Sequence, residues 1–225
     1  MAEQNNSSNP LNVEEALTTS EAFIIKNKNL LVTIIVALVV VVGGFFLYQH
    51  FVSVPNEEKA ATMLAKGQEY FSMDQYEVAL NGDSISYKGF IKLAEDESGT
   101  DAGNLANAYA GLCLAHLGKY KEAIKYLEAF HGGDIMVGPA VKGALGDCYA
   151  HSGDLDKATT CFMDAAKESD SNSLSPIFLK KAGEIYEKLG RKDDAVKAYQ
   201  TIKDKYFQSY IAADIDKYID RASGK

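Results

Sequence analysis

Apolar residues are distributed along this chain in two unlike ways. From Leu30 to Tyr48 they run almost without interruption, as LLVTIIVALVVVVGGFFLY, whereas beyond Asn56 they recur at helical spacing among charged residues. The first stretch is nineteen residues without a charge, and fourteen of them are Leu, Ile, Val or Phe. As a helix it is roughly 28 Å long at ~1.5 Å per residue, about the depth of a bilayer's hydrocarbon. On the insertion scale those side chains favour the membrane by ~4–8 kcal/mol. A core helix would show a polar face and a buried strand would be shorter, so residues 30–48 are expected to span a membrane.

The segment ahead of this span is residues 1–29, and the exit reads QHFVSVPNEE, without a small-x-small cleavage site. The apolar run also exceeds the core of a removable signal peptide, so a retained signal anchor is expected. Lys26 and Lys28 precede the span, while Lys59 is the only cation equally near on the other side. That bias favours a cytoplasmic N-terminus. Thr33 and Ala37 form a small-xxx-small pair of the kind that lets membrane helices approach, or an incidental one. In the tail, MAEQNNSSNP is polar, and NVEEALTTSEAFIIKNKN then reads as a short amphipathic helix with Asn12 and Glu15 as a capping box. It would rest at the membrane interface or on a partner, or serve only as a solvated lead-in. Residues 49–56 read as a linker.

After the linker the text repeats. AGLCLAHLGKYKEAIKYL from Ala110, LGDCYAHSGDLDKATTCF from Leu145 and AGEIYEKLGRKDDAVKAY from Ala182 align in register. Gly111, Gly146 and Gly183 coincide, as do Gly118, Gly153 and Gly190, and Ala123, Ala158 and Ala195, with spacings of 35 and 37 residues. The first glycine lets a neighbouring helix approach, and the second suits the left-handed residue that ends a helix. The alanine opens a second helix at the tight contact, and the large residue four positions on (Leu127, Phe162 or Tyr199) fills the space beyond it. Each helical hairpin leaves an apolar face that only another hairpin covers, so the units must stack. A degraded copy precedes them: AKGQEYFSMDQYEVA holds Gly67, Tyr70, Tyr76 and Ala79 in register, and its second helix resumes at YKGFIKLAEDESGT after the intervening NGDSISY. Gly138-Pro139 and Ser175-Pro176 supply helix starts. QSYIAADIDKYIDRA reads as a capping helix with Ile211, Ile215, Tyr218 and Ile219 on one face.

The unit resembles the tetratricopeptide repeat (TPR), with its L-G-x-x-Y and A-x-x-x-F positions. Leu145, Gly146, Tyr149, Gly153, Ala158 and Phe162 match in the middle copy, and Gly183, Tyr186, Gly190, Ala195 and Tyr199 in the last. The copy around Gly111 has Leu114 and Leu127 where aromatics are expected, and Phe207 stands where such repeats often end in Tyr-Pro. The expected fold is all-α: one transmembrane helix, then a tetratricopeptide-like solenoid of about four hairpins and a cap. Expected boundaries are 57–103 for the degenerate first repeat, 104–137, 138–174 and 175–207 for the others, and 208–225 for the capping helix and tail. The resemblance implies a concave groove for proteins or peptides, lined by Leu105, Ala108, Leu112, Ala115 and His116, then Ala140, Gly143, Asp147, Ala150 and His151, then Ile177, Lys180, Glu184, Glu187 and Lys188. The groove would be small and apolar at its start and charged towards its end, unless the chain's own capping elements fill it.

Two C-x-x-H pairs, Cys113 with His116 and Cys148 with His151, are raw material for a zinc site. Both pairs fall at the same repeat positions, however, so repetition alone accounts for them. Equivalent residues on neighbouring helices stand ~8–10 Å apart, whereas zinc ligands must converge to ~2.0–2.3 Å from one ion. The pairs are therefore expected to serve packing, with no metal and no cofactor. No G-x-S-x-G, phosphate-cradling glycine loop or H-E-x-x-H is present, so no catalytic residues are assigned. The acidic run AEDES is a solvated helix end, and most tyrosines sit at repeat-core positions.

Composition agrees with helix: four prolines, no tryptophan, and recurrent Ala, Leu, Lys and Glu. Three cysteines in 225 residues make no disulfide framework. A formal charge of −8 without basic blocks argues against nucleic acid as a partner. A short tail, one anchor and helical repeats resemble the YfgM-type ancillary subunits of the bacterial Sec translocon. The repeats also resemble those of envelope division coordinators that bind TolA, and ALNGD, GF and SGTDAGNLANAYAG resemble envelope-anchored repeat proteins of anaerobic and gliding bacteria. These resemblances imply an inner-membrane protein with periplasmic repeats, acting as a scaffold in protein translocation or folding. The competing expectations are a structural assembly factor of an envelope complex and, least supported, an enzyme.

Overall fold

The computed structural model describes residues 23–83, 85–132 and 134–224, and every regular element among them is helical. Of the amphipathic segment expected over 12–29, residues 12–22, with the Asn12–Glu15 capping box, lie outside the described residues, and 23–26 are helical. The chain divides into two units, one ending at Pro55 and one running from Asn56.

In the first unit, α1 (Lys28–Tyr48) holds no buried residue. Among the described residues this is the stretch long and apolar enough to cross a membrane. Residues 49–56, expected to link the span to the repeats, are helical. They form a π turn, Gln49–Ser53, followed by the start of α2 (Val54–Ser72). QHFVSV contains no helix breaker, and Pro55 follows directly on the π turn. The π turn absorbs the change, with Val54 N–H reaching back to the Gln49 carbonyl.

The second unit pairs helices in chain order. α2 is followed by α3 (Tyr76–Asn81) and α4 (Phe90–Asp96), which together occupy the place of one second helix. Then come α5 (Asp101–His116) with α6 (Tyr120–Ala129), α7 (Val137–Ser152) with α8 (Leu155–Ser169), and α9 (Ser175–Lys188) with α10 (Lys192–Lys205). A 3-10 turn, Tyr210–Asp214, leads into α11 (Ile215–Ser223).

Each hairpin closes on one small-against-large contact. A Cβ added at Gly111 would lie 2.5 Å from Leu127 Cγ, and one at Gly146 would lie 2.9 Å from the Phe162 ring. At Gly183 the Tyr199 ring fills the same space. Leu127, Phe162 and Tyr199 are all buried, as are Ala123, Ala158 and Ala195 one turn earlier on the same helices. Gly153 ends α7 with φ +88°, a conformation that branched residues avoid. Thr100 caps α5 by accepting from Gly103 N–H at 2.9 Å, and Asp154 caps α8 by accepting from Lys157 N–H at 3.3 Å. The core runs as two clusters that Ile124 and Leu145 join. α11 closes the far end by burying Ile215 and Ala222, with the Tyr218 ring 5.6 Å from that of Tyr199.

The break between α3 and α4 is built around Asp83. Its carboxylate accepts from the backbone N–H groups of Ile85, Ser86 and Tyr87 at 3.0, 2.8 and 2.8 Å. Tyr70 donates to it at 3.0 Å, and Lys66 lies 3.2 Å away. Tyr87 is thereby turned inward, donating to the Ala79 carbonyl at 2.7 Å. The three backbone donors hold the Asp83 carboxyl far below the usual carboxylate range. A depressed folded-state value stabilises the fold above the unfolded-state value and is lost as pH falls towards the folded one. The native chain is therefore expected to melt above D83N at pH ~6, and that gap to shrink as pH falls below ~4 in thermal unfolding.

Candidate functional site: the first-helix groove

The first helices of successive repeats, α5, α7 and α9, leave two shallow clefts between them. One, of about 410 Å3, is lined by Leu112, Ala115, His116 and Tyr120 on one side and Ala144, Asp147, Cys148 and His151 on the other. The next, of about 370 Å3, lies among Asp147, Ala150, Phe162, Lys181, Glu184 and Lys188. Asp147 belongs to both, so the clefts form one track. Lys181 donates to both Asp147 oxygens at 2.7 Å, fixing that carboxylate at the junction.

Of the fifteen residues expected along the groove, Leu112, Ala115, His116, Asp147, Ala150, His151, Glu184 and Lys188 meet in these clefts. Leu105, Ala108, Ala140, Gly143, Ile177, Lys180 and Glu187 do not line them. Ala108 is 2 % exposed, and the Phe178 ring occupies the space over Gly143. Leu105 is half-buried against the core. Ala140 is exposed, and Ile177 is half-buried. Lys180 lies 3.5 Å from Glu184 and 4.7 Å over the Tyr218 ring of the cap. Glu187 is held by the chain itself, accepting from Arg221 at 2.9 and 2.8 Å and from Tyr199 at 2.7 Å. Arg221 is the first cause of its lowered carboxyl pKa.

The repeated C-x-x-H pairs divide their work. Cys113 and Cys148 are buried between helices as small apolar residues. His116 and His151 point outward, and each stacks on a tyrosine of the preceding repeat. His116 lies 4.3 Å from the Tyr76 ring with an interplanar angle of 5°, and His151 lies 4.4 Å from the Tyr120 ring at 7°. In the next interval Leu155 and Lys188 hold the corresponding positions, and the stack ends. Among the described residues no group of three or more His, Cys, Asp or Glu is placed to hold a metal ion.

Tyr120, Ala144, Cys148, Phe162, Lys181 and Ile185 line the clefts without having been expected there, and Tyr76 adds the first stack beside them. Tyr76 and Tyr120 sit three positions before the repeat alanines, and the histidines five after the repeat glycines. Pairing those two locked positions across a repeat boundary would have found the stack.

Burial raises the thiol pKa of Cys113 to about 12 and those of Cys148 and Cys161 to about 11. All three thiols are thus expected to alkylate slowly at pH 8. Half-buried Cys161 should react first, and Cys113 and Cys148 only on unfolding, as mass spectrometry of the iodoacetamide-treated chain would show.

Tetratricopeptide-repeat family models match residues 140–172 and 181–217. The fold is also similar to crystal structures of nearly identical TPR-like repeats from Podosopora anserina, of a protein described as a kinesin light chain. One superposes with a TM-score of 0.54 at 12 % identity, over 75 % of this chain and 87 % of that one. A point variant of it gives 0.53 at 12 %, over 75 % and 86 %. No curated protein matches the chain. Residues 140–172 and 181–217 thus match tetratricopeptide repeats, and the stacked helical hairpins share the fold of TPR-like structures.

Proposed function

We propose that this chain is a membrane-anchored scaffold of the bacterial cell envelope, binding proteins or peptides along its first helices and serving protein translocation or periplasmic folding. The observation that supports it best is the continuous track from Leu112 to Lys188, placed in the same chain as one helix fit to cross a membrane. The track is apolar and aromatic where α5 faces α7, and carries paired charges where α7 faces α9. An extended segment laid along it would seat small apolar side chains beside Ala115 and Ala144, and polar groups beside Asp147, Lys181 and Lys188. The lysines before the span support a cytoplasmic N-terminus, which would put the repeats in the periplasm. The second reading is a structural assembly factor whose specific contacts lie in the span and tail.

Crosslinking in cells separates the two. A photoreactive residue replacing Leu112 or Asp147 is expected to capture a range of exported proteins, and one replacing Ala37 to capture translocon subunits. One fixed envelope protein captured from both regions would replace the scaffold reading with the assembly-factor reading.

A further inference from the structure

We propose that one edge of the repeat domain, the edge carrying the turns between repeats, rests on the lipid surface and inserts apolar side chains into it. The inference rests on the reading of Lys28–Tyr48 as a membrane span.

The two edges of the domain differ. Turns within repeats, which end the first helices, read SMDQ, LGKY, SGDL and LGRK, and among them only Met73 exposes a large apolar side chain. Turns between repeats carry most of the exposed apolar bulk. Seven large apolar side chains are exposed in the second unit among the described residues, and five of them belong to the turns between repeats and the entry to the cap: Ile135, Met136, Val137, Phe207 and Tyr210. Ile135 and Met136 are 71 % and 66 % exposed, and Phe207 and Tyr210 are 67 % and 77 %. They are held outward by structure. The Asp134 carboxylate accepts from Met136 N–H at 2.7 Å and Val137 N–H at 2.8 Å, fixing the first tip at the start of α7. Tyr206 donates to Asp170 at 2.9 Å, tying the second tip to the turn before it.

The tether enters on this same edge. The Glu57 carboxylate accepts from the N–H groups of Asp101 and Ala102, both at 2.9 Å, so the first turn of α2 is bonded to the turn that opens α5. His131, in the turn that carries Ile135, donates in its turn to Asn104 at 2.9 Å. Tyr48 ends the apolar helix nine residues before Glu57. Even fully extended, that stretch reaches no more than about 30 Å. That short tether enters the domain on the apolar edge and leaves it within reach of the bilayer.

The attraction is apolar rather than electrostatic. Asp101, Asp134 and Asp170 share the edge with the tips, and Lys205 is already paired with Asp170 at 2.6 Å. A neutral phosphatidylcholine surface is accordingly sufficient, with Phe207 and Tyr210 at the headgroup level where aromatic side chains accumulate.

The chain has no tryptophan, so one introduced residue reports alone. The full chain carrying M136W, and separately M73W on the opposite edge, would be reconstituted into phosphatidylcholine vesicles with and without brominated acyl chains. M136W is expected to emit at shorter wavelength and to lose most of its emission to bromine, while M73W is unaffected. If M136W escapes quenching while the chain still floats with the vesicles, or if both positions are quenched equally, the proposed edge contact is wrong. A chain that fails to float with the vesicles overturns the span reading and this inference with it.

Discussion

The repeat domain depends on one steric constraint, the absence of a side chain on each first helix where the second helix presents a large one. Gly111 against Leu127, Gly146 against Phe162, and Gly183 against Tyr199 set how closely the two helices of each hairpin approach. All three large partners are buried, so the contact is core and not ornament at the surface. Interiors packed at crystal-like density transmit a change at such a point rather than absorbing it. This contact sets the spacing within each hairpin, while between hairpins the Phe178 ring over Gly143 brings α9 against α7.

The same register arranges the polar features. Because every hairpin ends its first helix at an equivalent place, a histidine there meets the tyrosine that opens the previous second helix, twice over. Asp147 and Lys181, on neighbouring first helices, meet across the middle of the track. At the far end the cap takes the groove position over for itself, since Arg221 and Tyr199 satisfy Glu187 and Tyr218 lies beneath Lys180. The accessible track is thus shorter than the row of first helices. It ends on α9 at Glu184 and Lys188, beside the Lys180 and Glu187 that the cap occupies.

Much of this was legible in the sequence because it is local or periodic. Recurrent glycines and alanines mark the hairpins, and the uninterrupted apolar run from Leu30 marks the helix fit for a membrane. What was not legible depends on partners distant in the chain. The Tyr76–His116 stack joins residues forty apart, and two C-x-x-H pairs read alone suggested metal before their equivalence was noticed. Glu187 resembles any groove residue until Arg221, thirty-four positions later, is seen to bind it. Gly143 lies under Phe178, a neighbour from the following repeat that the repeat pattern does not foretell. The stretch 49–56 reads as a linker, yet a π turn and the start of α2 occupy it. NGDSISY reads as an insertion, while its organisation around the Asp83 carboxylate rests on backbone donors that sequence does not display.

The small-against-large constraint is tested most directly by a double-mutant cycle on the full chain in detergent, pairing G146A with F162V and reading unfolding free energies. A methyl at position 146 has no room beside the Phe162 ring. With the ring removed, the same methyl meets open space and gains alanine's helix preference, ~1 kcal/mol over glycine. The account predicts that G146A destabilises the native chain but is neutral or stabilising in the F162V background, a coupling of ~1–3 kcal/mol. Additive effects, within ~0.5 kcal/mol, would contradict it and remove the contact from which the rest of the structure is argued.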